Sequence, residues 1–257
     1  MQIKGSVVLI TGASQGIGAA CADAFRRRGA RLALVARTRE KLERVASPDG
    51  LPLAGDITNA EFRRHAVDEA HARYGRIDIL INNAGIGLFA PAWSAPLDEV
   101  RAMVELNLFA ALGMTQLVVP QMRARRSGMI VNVGSIAGRV TLPWLSLYSA
   151  TKFALGSMTD GLRMELRPDN IKTMLVCPGY VDTDFQDNAL AGRPPEKIRN
   201  SKTFLISPER CAEDIARGVE KEKRTVVTPG AGRWFILARH LLPGPVDAQL
   251  ARIYHNL

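Results

Sequence analysis

Residues 7–18 constrain the fold more than any other stretch of the chain. Val7-Val8-Leu9-Ile10 runs directly into Thr11-Gly12-Ala13-Ser14-Gln15-Gly16-Ile17-Gly18. An apolar strand that passes through a glycine-rich turn into a helix can hold a pyrophosphate. The glycines let the backbone approach, and the helix start presents free N–H groups and a positive dipole end. The spacing is GxxxGxG, not GxGxxG. The competing reading is a glycine-rich turn without a ligand.

The same alternation runs along the chain. Strands are predicted at 6–11, 31–36, 51–54, 77–82, 128–134, 171–177 and 225–228, and helices near 16–28, 38–46, 59–73, 98–120, 147–167 and 208–221. Strands alternating with helices imply an α/β fold: a doubly wound parallel sheet, Rossmann-like, in three layers α/β/α. With 257 residues, 47% of them hydrophobic, residues 1–257 can bury one core as a single domain. No repeat or low-complexity linker divides it. Thr58-Asn59-Ala60-Glu61 reads as a capping box, and Pro120 as a kink or end of the fourth helix. Residues 185–205, with Gly192, Pro194 and Pro195, read as a mobile loop serving as a substrate lid.

A second constellation is Ser135, Tyr148 and Lys152. Tyr148 and Lys152 are four apart and share a helix face. A lysine cation beside a phenol lowers a pKa of about 10 and makes a proton donor and acceptor near neutral pH. Ser135 lies thirteen residues before Tyr148, after the run Met129-Ile130-Val131-Asn132-Val133. A hydroxyl at a strand end can bind a carbonyl oxygen as it gains negative charge. For YxxxK taken alone, a surface Tyr–Lys pair is the alternative.

Taken in order, TGASQGIG (11–18), GDIT (55–58), NNAG (82–85), Asn107 in VELNLF, Ser135, YSATK (148–152) and PGYVDT (178–183) make the chain resemble the single-domain short-chain dehydrogenase/reductase family. The resemblance spans nearly the whole chain and leaves out about 185–205 and the tail after Thr228. It implies a nicotinamide dinucleotide held by Gly12, Ser14, Gln15, Gly16, Ile17, Gly18, Asp56, Ile57, Asn83, Ala84, Gly85, Tyr148, Lys152, Pro178, Gly179, Val181 and Thr183. It implies hydride transfer from the pro-S face, with Tyr148 giving the proton to the substrate oxygen and Ser135 hydrogen-bonding that oxygen. Lys152 would bind the nicotinamide ribose. Asn107 would hold a water linking Lys152 to solvent, or serve as a buried structural asparagine. Asp56 would lie near the adenine, unless local turn chemistry claims it. Asn82 would line the cleft, tie neighbouring strands, or do both.

Cofactor choice lies at the end of the second strand, in Leu34-Val35-Ala36-Arg37-Thr38-Arg39. Enzymes that hold the ribose 2′-OH place Asp or Glu there. Here Ala36 stands in that place and Arg37 follows. A guanidinium can fork a 2′-phosphate, with Arg39 adding to it, so NADP(H) is expected. Gln15 departs from the basic residue of many NADP-preferring relatives. If Arg37 were only a solvated loop residue, dual or NADH use would follow.

Composition removes other classes. The net charge of +9 is scattered, with no nucleic-acid motif beside it, so no nucleic-acid partner is expected. Anionic cofactor or substrate groups, or a membrane surface, are enough to account for it. Cys21, Cys177 and Cys211 read as small buried hydrophobes in a reducing cytoplasm. His65, His71, His240 and His255 show no ligand spacing, and no metal is expected. The first strand starts by Ser6, so no leader is expected, nor any run near the ~20 apolar residues that span a bilayer.

Ile86, Leu88, Phe89, Val140, Leu142, Trp144, Leu145, Tyr180, Phe185 and Leu190 frame an apolar pocket, or pack loops onto the core or a partner. They suggest a lipophilic ketone, aldehyde or secondary alcohol, steroid-like or long-chain. Arg139, Arg193 and Lys197 facing a phosphopantetheine or coenzyme A carrier would instead make a 3-ketoacyl-thioester reductase. A non-catalytic cofactor sensor or scaffold is the third class, and the presence of all four catalytic-type residues argues against it. Met103, Leu106, Leu108, Leu112, Phe153, Leu155, Met158 and Leu162 exceed one core stripe, so a homodimer or homotetramer is expected. In the extension 229–257, Trp234, Phe235, Ala238, Leu241 and Leu242 share one helical face, Pro243-Gly244-Pro245 ends that helix, and 246–254 forms another. The face is expected to pack on protein, at the cleft or a neighbouring subunit, rather than on a membrane.

Overall fold

Each apolar run becomes a strand, and alternate side chains divide it between two cores. The computed structural model describes residues 1–191, 196 and 205–254. Its strands are β1 (Val7–Thr11), β2 (Arg31–Ala36), β3 (Leu51–Ala54), β4 (Ile79–Asn82), β5 (Gly128–Val133), β6 (Ile171–Pro178) and β7 (Thr225–Thr228). They form one parallel sheet in the order β3-β2-β1-β4-β5-β6-β7. Val8, Ile10, Leu32, Leu34, Ile79, Ile81, Met129 and Val131 enter one core, and Leu9, Ala33, Val35, Leu80 and Ile130 the other. A side-chain period of two with both faces covered is why these strands read as unbroken apolar runs.

The helices are α1 (Gly16–Arg27), α2 (Arg39–Ala46), α3 (Ala60–Tyr74), α4 (Leu97–Val104), α5 (Ala111–Arg125), α6 (Ser146–Glu165), α7 (Pro208–Glu220), α8 (Gly232–Leu241) and α9 (Pro243–Tyr254). Residues of α1, α2 and α7 close the first core, and those of α3, α5 and α6 close the second. The strand order reverses between β1 and β4, so the connections after these strands leave in opposite directions. The crevice at such carboxyl ends is where an α/β sheet takes its ligand.

Four local expectations change. A π-helical turn, Glu105–Ala110, joins α4 to α5, and Pro120 does not end the run, which continues to Arg125. Gln116, whose carbonyl loses its partner at Pro120, is exposed to water, as is Pro120 itself. The cap of α3 is Asn59 rather than Thr58: its Oδ1 accepts from Glu61 N at 2.8 Å and Phe62 N at 3.0 Å. Leu97–Arg125 is, by length and composition, apolar enough to cross a membrane, contrary to expectation. Met103, Asn107, Ala110, Met114, Thr115, Val118 and Met122 bury along it, as a central helix of this layer requires. Lastly, α9 begins at Pro243 itself, a first-turn position that suits proline.

Candidate active site

Thr11 ends β1, and its Oγ1 accepts from Asn83 N and Ala84 N, both at 3.1 Å. Asn83 Nδ2 donates back to Thr11 O at 3.0 Å and Gly12 O at 3.1 Å. These bonds press the glycine-rich turn against the end of β4. Gly12 has φ +67, and a Cβ there would lie 2.8 Å from Ala84 Cα; one at Gly18 would lie 2.2 Å from Gly12 O. Only glycine fits such contacts. Gln15 caps α1 without using its side chain, and the first turn holds no acidic residue. The N–H groups there remain for an anion, so the turn fits the pyrophosphate of a dinucleotide.

The crevice continues into a cavity of about 1170 Å³. That exceeds the 300–1,000 Å³ or so of a drug-sized site, leaving room for a dinucleotide and a second molecule. Gly12, Ser14, Gln15, Gly16, Ile17, Arg37, Asp56, Ile57, Asn83, Ala84, Gly85, Ser135, Tyr148, Lys152, Pro178, Gly179, Val181 and Thr183 all line it. Gly18 does not, because it packs beneath the turn. Asp56 serves both predicted roles: it lines the cavity, and its Oδ1 accepts from Thr58 N and Oγ1, both at 2.9 Å. For Asn82 the strand-tying alternative is the one seen. The residue is buried, and its Nδ2 donates to Asn132 Oδ1 at 2.9 Å, tying β4 to β5 rather than lining the cleft. Arg39 stands at 3.5 Å from Glu43 one helical turn on and does not line the cavity wall. Lys41, which sequence reasoning missed, lines the wall instead.

Ser135 follows β5 and caps a short 3₁₀ turn, Ile136–Gly138, its Oγ accepting from Ala137 N at 3.0 Å. A Cβ at Gly138 would lie 2.8 Å from the Lys152 backbone, so the turn packs directly onto α6. That contact brings the Ser135 hydroxyl into hydrogen bonding with the Tyr148 phenol. Lys152 Nζ donates to Val133 O at 2.9 Å and stands 5.7 Å from the Tyr148 ring centroid. Burial, rather than Lys152, sets the direction of the phenol here. Burial pushes Tyr148 up, the Ser135 hydrogen bond pulls it only part of the way back, and burial lowers Lys152 to about 8. Desolvation penalises the phenolate and the ammonium alike.

The side chain of Asn107 is engaged within the protein. Its Oδ1 accepts from Ile86 N at 2.8 Å, while Nδ2 donates to Ile86 O at 2.9 Å and Thr151 Oγ1 at 3.1 Å. Its amide therefore ties the loop after β4 to α6 and does not line the cavity.

At the far end, Ile86, Phe89, Leu142, Leu145, Tyr180, Phe185 and Leu190 line the wall as expected. Leu88 and Val140 are instead buried in the protein. Trp144 takes φ +64, and its carbonyl accepts from Ala90 N at 3.0 Å to hold a loop. Phe185 packs edge-on against Tyr148, with ring centroids 5.5 Å apart. The base of the expected lid is anchored: Leu190 N donates to Gly87 O and Ile206 N to Tyr180 O, both at 2.9 Å. The rest of that segment, with Arg193 and Lys197, lies outside the described residues. Arg139 lies against Asp160 and Cys177, away from the cavity.

The tail caps the cleft, as one expected alternative had it: Phe235 and Leu242 line the wall, joined by Val246 and Leu250, which the sequence did not single out. Its predicted single face divides. Phe235 and Ile236 pack on Ile136, Leu175 and Cys177, whereas Trp234, Leu237 and Leu241 are exposed. The helix faces expected to pair subunits divide too. Met103 and Leu155 belong to the interior, while Phe153 is exposed, as are Phe109 and Met164, which that expectation did not name.

A family model described as short chain dehydrogenase matches residues 6–194. The chain is 36% identical to a dehydrogenase/reductase SDR family protein 7-like of Anopheles gambiae, over 94% of this chain and 80% of the relative. It is 33% identical to 11-beta-hydroxysteroid dehydrogenase-like 2 of Arabidopsis thaliana, over 98% and 82% of the two chains. Among solved structures, a short chain dehydrogenase of Burkholderia cenocepacia J2315 in complex with NADP matches at TM-score 0.83 and 31% identity, over 97% and 99% of the two chains.

Proposed function

The chain belongs to the short-chain dehydrogenase/reductase family, and from that premise we propose an NADP(H)-dependent enzyme that interconverts a lipophilic ketone or aldehyde and its alcohol. One observation carries the reading. Ser135 and Tyr148 stand where a glycine-rich, anion-ready end of the cavity meets an apolar end. When bound, the nicotinamide supplies or accepts the hydride. Tyr148 holds a proton on its phenol oxygen, and burial keeps it there until a substrate oxygen gains charge beside it. Ser135 Oγ accepts from Ala137 N, so its own O–H, which meets the Tyr148 phenol, can also turn to donate towards that oxygen. Lys152, anchored on Val133 O with a pKa near 8, exchanges a proton close to neutral pH beside the phenol. Asn107 fixes the loop at Ile86 and so holds one wall of the site.

Ala36 in place of an acid, followed by an exposed Arg37, supports the 2′-phosphate cofactor. The apolar wall and the relative named 11-beta-hydroxysteroid dehydrogenase-like 2 support a steroid-like or long-chain substrate. Exposed Phe109, Phe153 and Met164 support a homo-oligomer, and three free buried cysteines a reducing, cytoplasmic setting. The test is NADPH and NADH oxidation against steroid ketones, long-chain ketones and 3-ketoacyl thioesters. Turnover of the lipophilic ketones with NADPH is the expected result. Turnover of thioesters alone would replace the substrate class. Cofactor binding without any turnover would favour a sensor.

A further inference from the structure

We infer that Lys41 supplies the second cation of the 2′-phosphate site, in place of the basic residue that position 15 lacks. The inference rests on the NADP(H) reading above. A phosphate monoester carries about −1.5 to −2 charge at pH 7, which Arg37 alone does not balance. Lys41 lies in the first turn of α2, and its Nζ donates to Gln15 Oε1 at 3.1 Å. Lys41, Gln15, Arg37 and Thr38 line the same stretch of cavity wall. The lysine therefore reaches from α2 across to the glycine-rich turn, where a longer basic side chain at position 15 would place its own charge.

The surroundings favour a doubly charged anion. Ala36 places no carboxylate there, and Glu40, the acid in the first turn of α2, does not line the cavity. Arg39 is engaged by Glu43. Thr38 caps α2 without a side-chain bond, so its hydroxyl and the first N–H groups of α2 face no internal acceptor. The partner of Lys41 is a neutral carboxamide. An arriving phosphate would offer the ammonium a stronger, charge-assisted acceptor, and Gln15 would not compete for it. Because Lys41 is exposed, its effect belongs at the lower end of the charge-assisted range, ~10-fold in affinity.

The experiment is calorimetric titration of the full chain with NADPH, NADH and adenosine 2′,5′-bisphosphate, for wild type, Lys41→Gln and Gln15→Arg/Lys41→Gln. Lys41→Gln is expected to weaken NADPH and the bisphosphate ~10-fold while moving NADH less than twofold. It should also flatten the salt dependence of NADPH binding. Gln15→Arg is expected to restore NADPH binding in the Lys41→Gln background. Equal melting temperatures for the single variant and wild type would show that the fold is intact. If wild type prefers NADPH but Lys41→Gln weakens both cofactors equally, or neither, the inference fails and the cofactor reading stands. If wild type binds NADPH and NADH equally, both fail together.

Discussion

The two ends of the cavity are built by different means. At the cofactor end, backbone meets backbone. A Cβ at Gly18 would lie 2.2 Å from Gly12 O, one at Gly12 2.8 Å from Ala84 Cα, and the Thr11 hydroxyl and Asn83 amide fasten the turn by side-chain bonds to its backbone. At the substrate end, side chains meet side chains. A Cβ at Gly87 would meet the Phe185 ring at 2.9 Å, and rings and aliphatic groups from four separate segments make the wall. Main-chain contacts admit one shape, whereas ring contacts can shift. The first end is therefore shaped for one ligand, and the second can change its ligand by small repacking.

The largest expected effect falls at the junction of the two. Tyr148→Phe keeps the ring against Phe185 and removes the proton donor. Turnover should fall ~10²–10⁴-fold, with NADPH affinity within a few-fold of wild type by titration. Retention of a tenth of the turnover, where hydride transfer limits the rate, would break the assignment.

The next effect tests the comparison directly. Gly18→Ala puts a methyl into a carbonyl oxygen that cannot move without opening the turn. Overpacking of this kind costs about 1–3 kcal/mol, and cofactor affinity should fall with it. Gly87→Ala meets only the far edges of the Phe185 and Phe89 rings, which can shift, and should cost less stability than Gly18→Ala while changing substrate preference. Urea unfolding and cofactor titration of both variants measure this. Equal destabilisation would remove the distinction between the two ends.

The same distinction explains what was legible in the sequence. Backbone contacts demand glycine or a fixed hydroxyl at a fixed spacing, so Gly12, Gly16, Thr11 and the NNAG segment stand out as letters. So does the sheet, because strands covered on both faces read as apolar runs. Lys41 reaches the site through a long side chain from the next helix, and nothing local marks it. Phe235 and Leu242 line the wall because α8 and α9 fold back over the cavity, a tertiary event that helical periodicity does not encode. Periodicity suggested one apolar face where the structure divides it in two. For Asn82 the sequence left two roles open because a polar residue at the end of a buried strand can serve either a ligand or the sheet, and the register against Asn132 shows the tie.

A third expected effect concerns the energy stored in the buried lysine. Burial lowers Lys152 from 10.5 in the open chain to about 8 in the fold. Between those values the unfolded state binds more protons, so wild-type stability should rise as pH goes from 8 to 10.5. Below pH 8 the full penalty, about 3 kcal/mol, is present. Lys152→Met removes it but leaves Val133 O without its donor, at a cost of about 1 kcal/mol. The variant should be inactive and yet about 2 kcal/mol more stable at pH 7 by urea unfolding, with its advantage shrinking towards pH 10.5. A variant less stable than wild type at pH 7 would contradict the burial penalty.

The smallest effect separates the two faces of the tail. Phe235 packs on Ile136, Leu175 and Cys177 and also lines the cavity, whereas Trp234 beside it is 73% exposed. Burying a full phenyl contributes ~1.5–3 kcal/mol, and Phe235 is only partly buried, so about half of that is at stake. Phe235→Ala should therefore raise KM for a long-chain or steroid-like ketone ~3–10-fold, with kcat nearly unchanged, because the Tyr148 and Ser135 groups are not touched. A short ketone that does not reach the tail should show no change in KM. Trp234→Ala should leave both substrates as they are in the wild type, since its ring faces away from the cavity. The outcome that would overturn this division is a loss of long-chain turnover in Trp234→Ala equal to that in Phe235→Ala. The outer face of α8 would then belong to the substrate path, and the far end of the cavity would extend across the tail rather than stop beneath it.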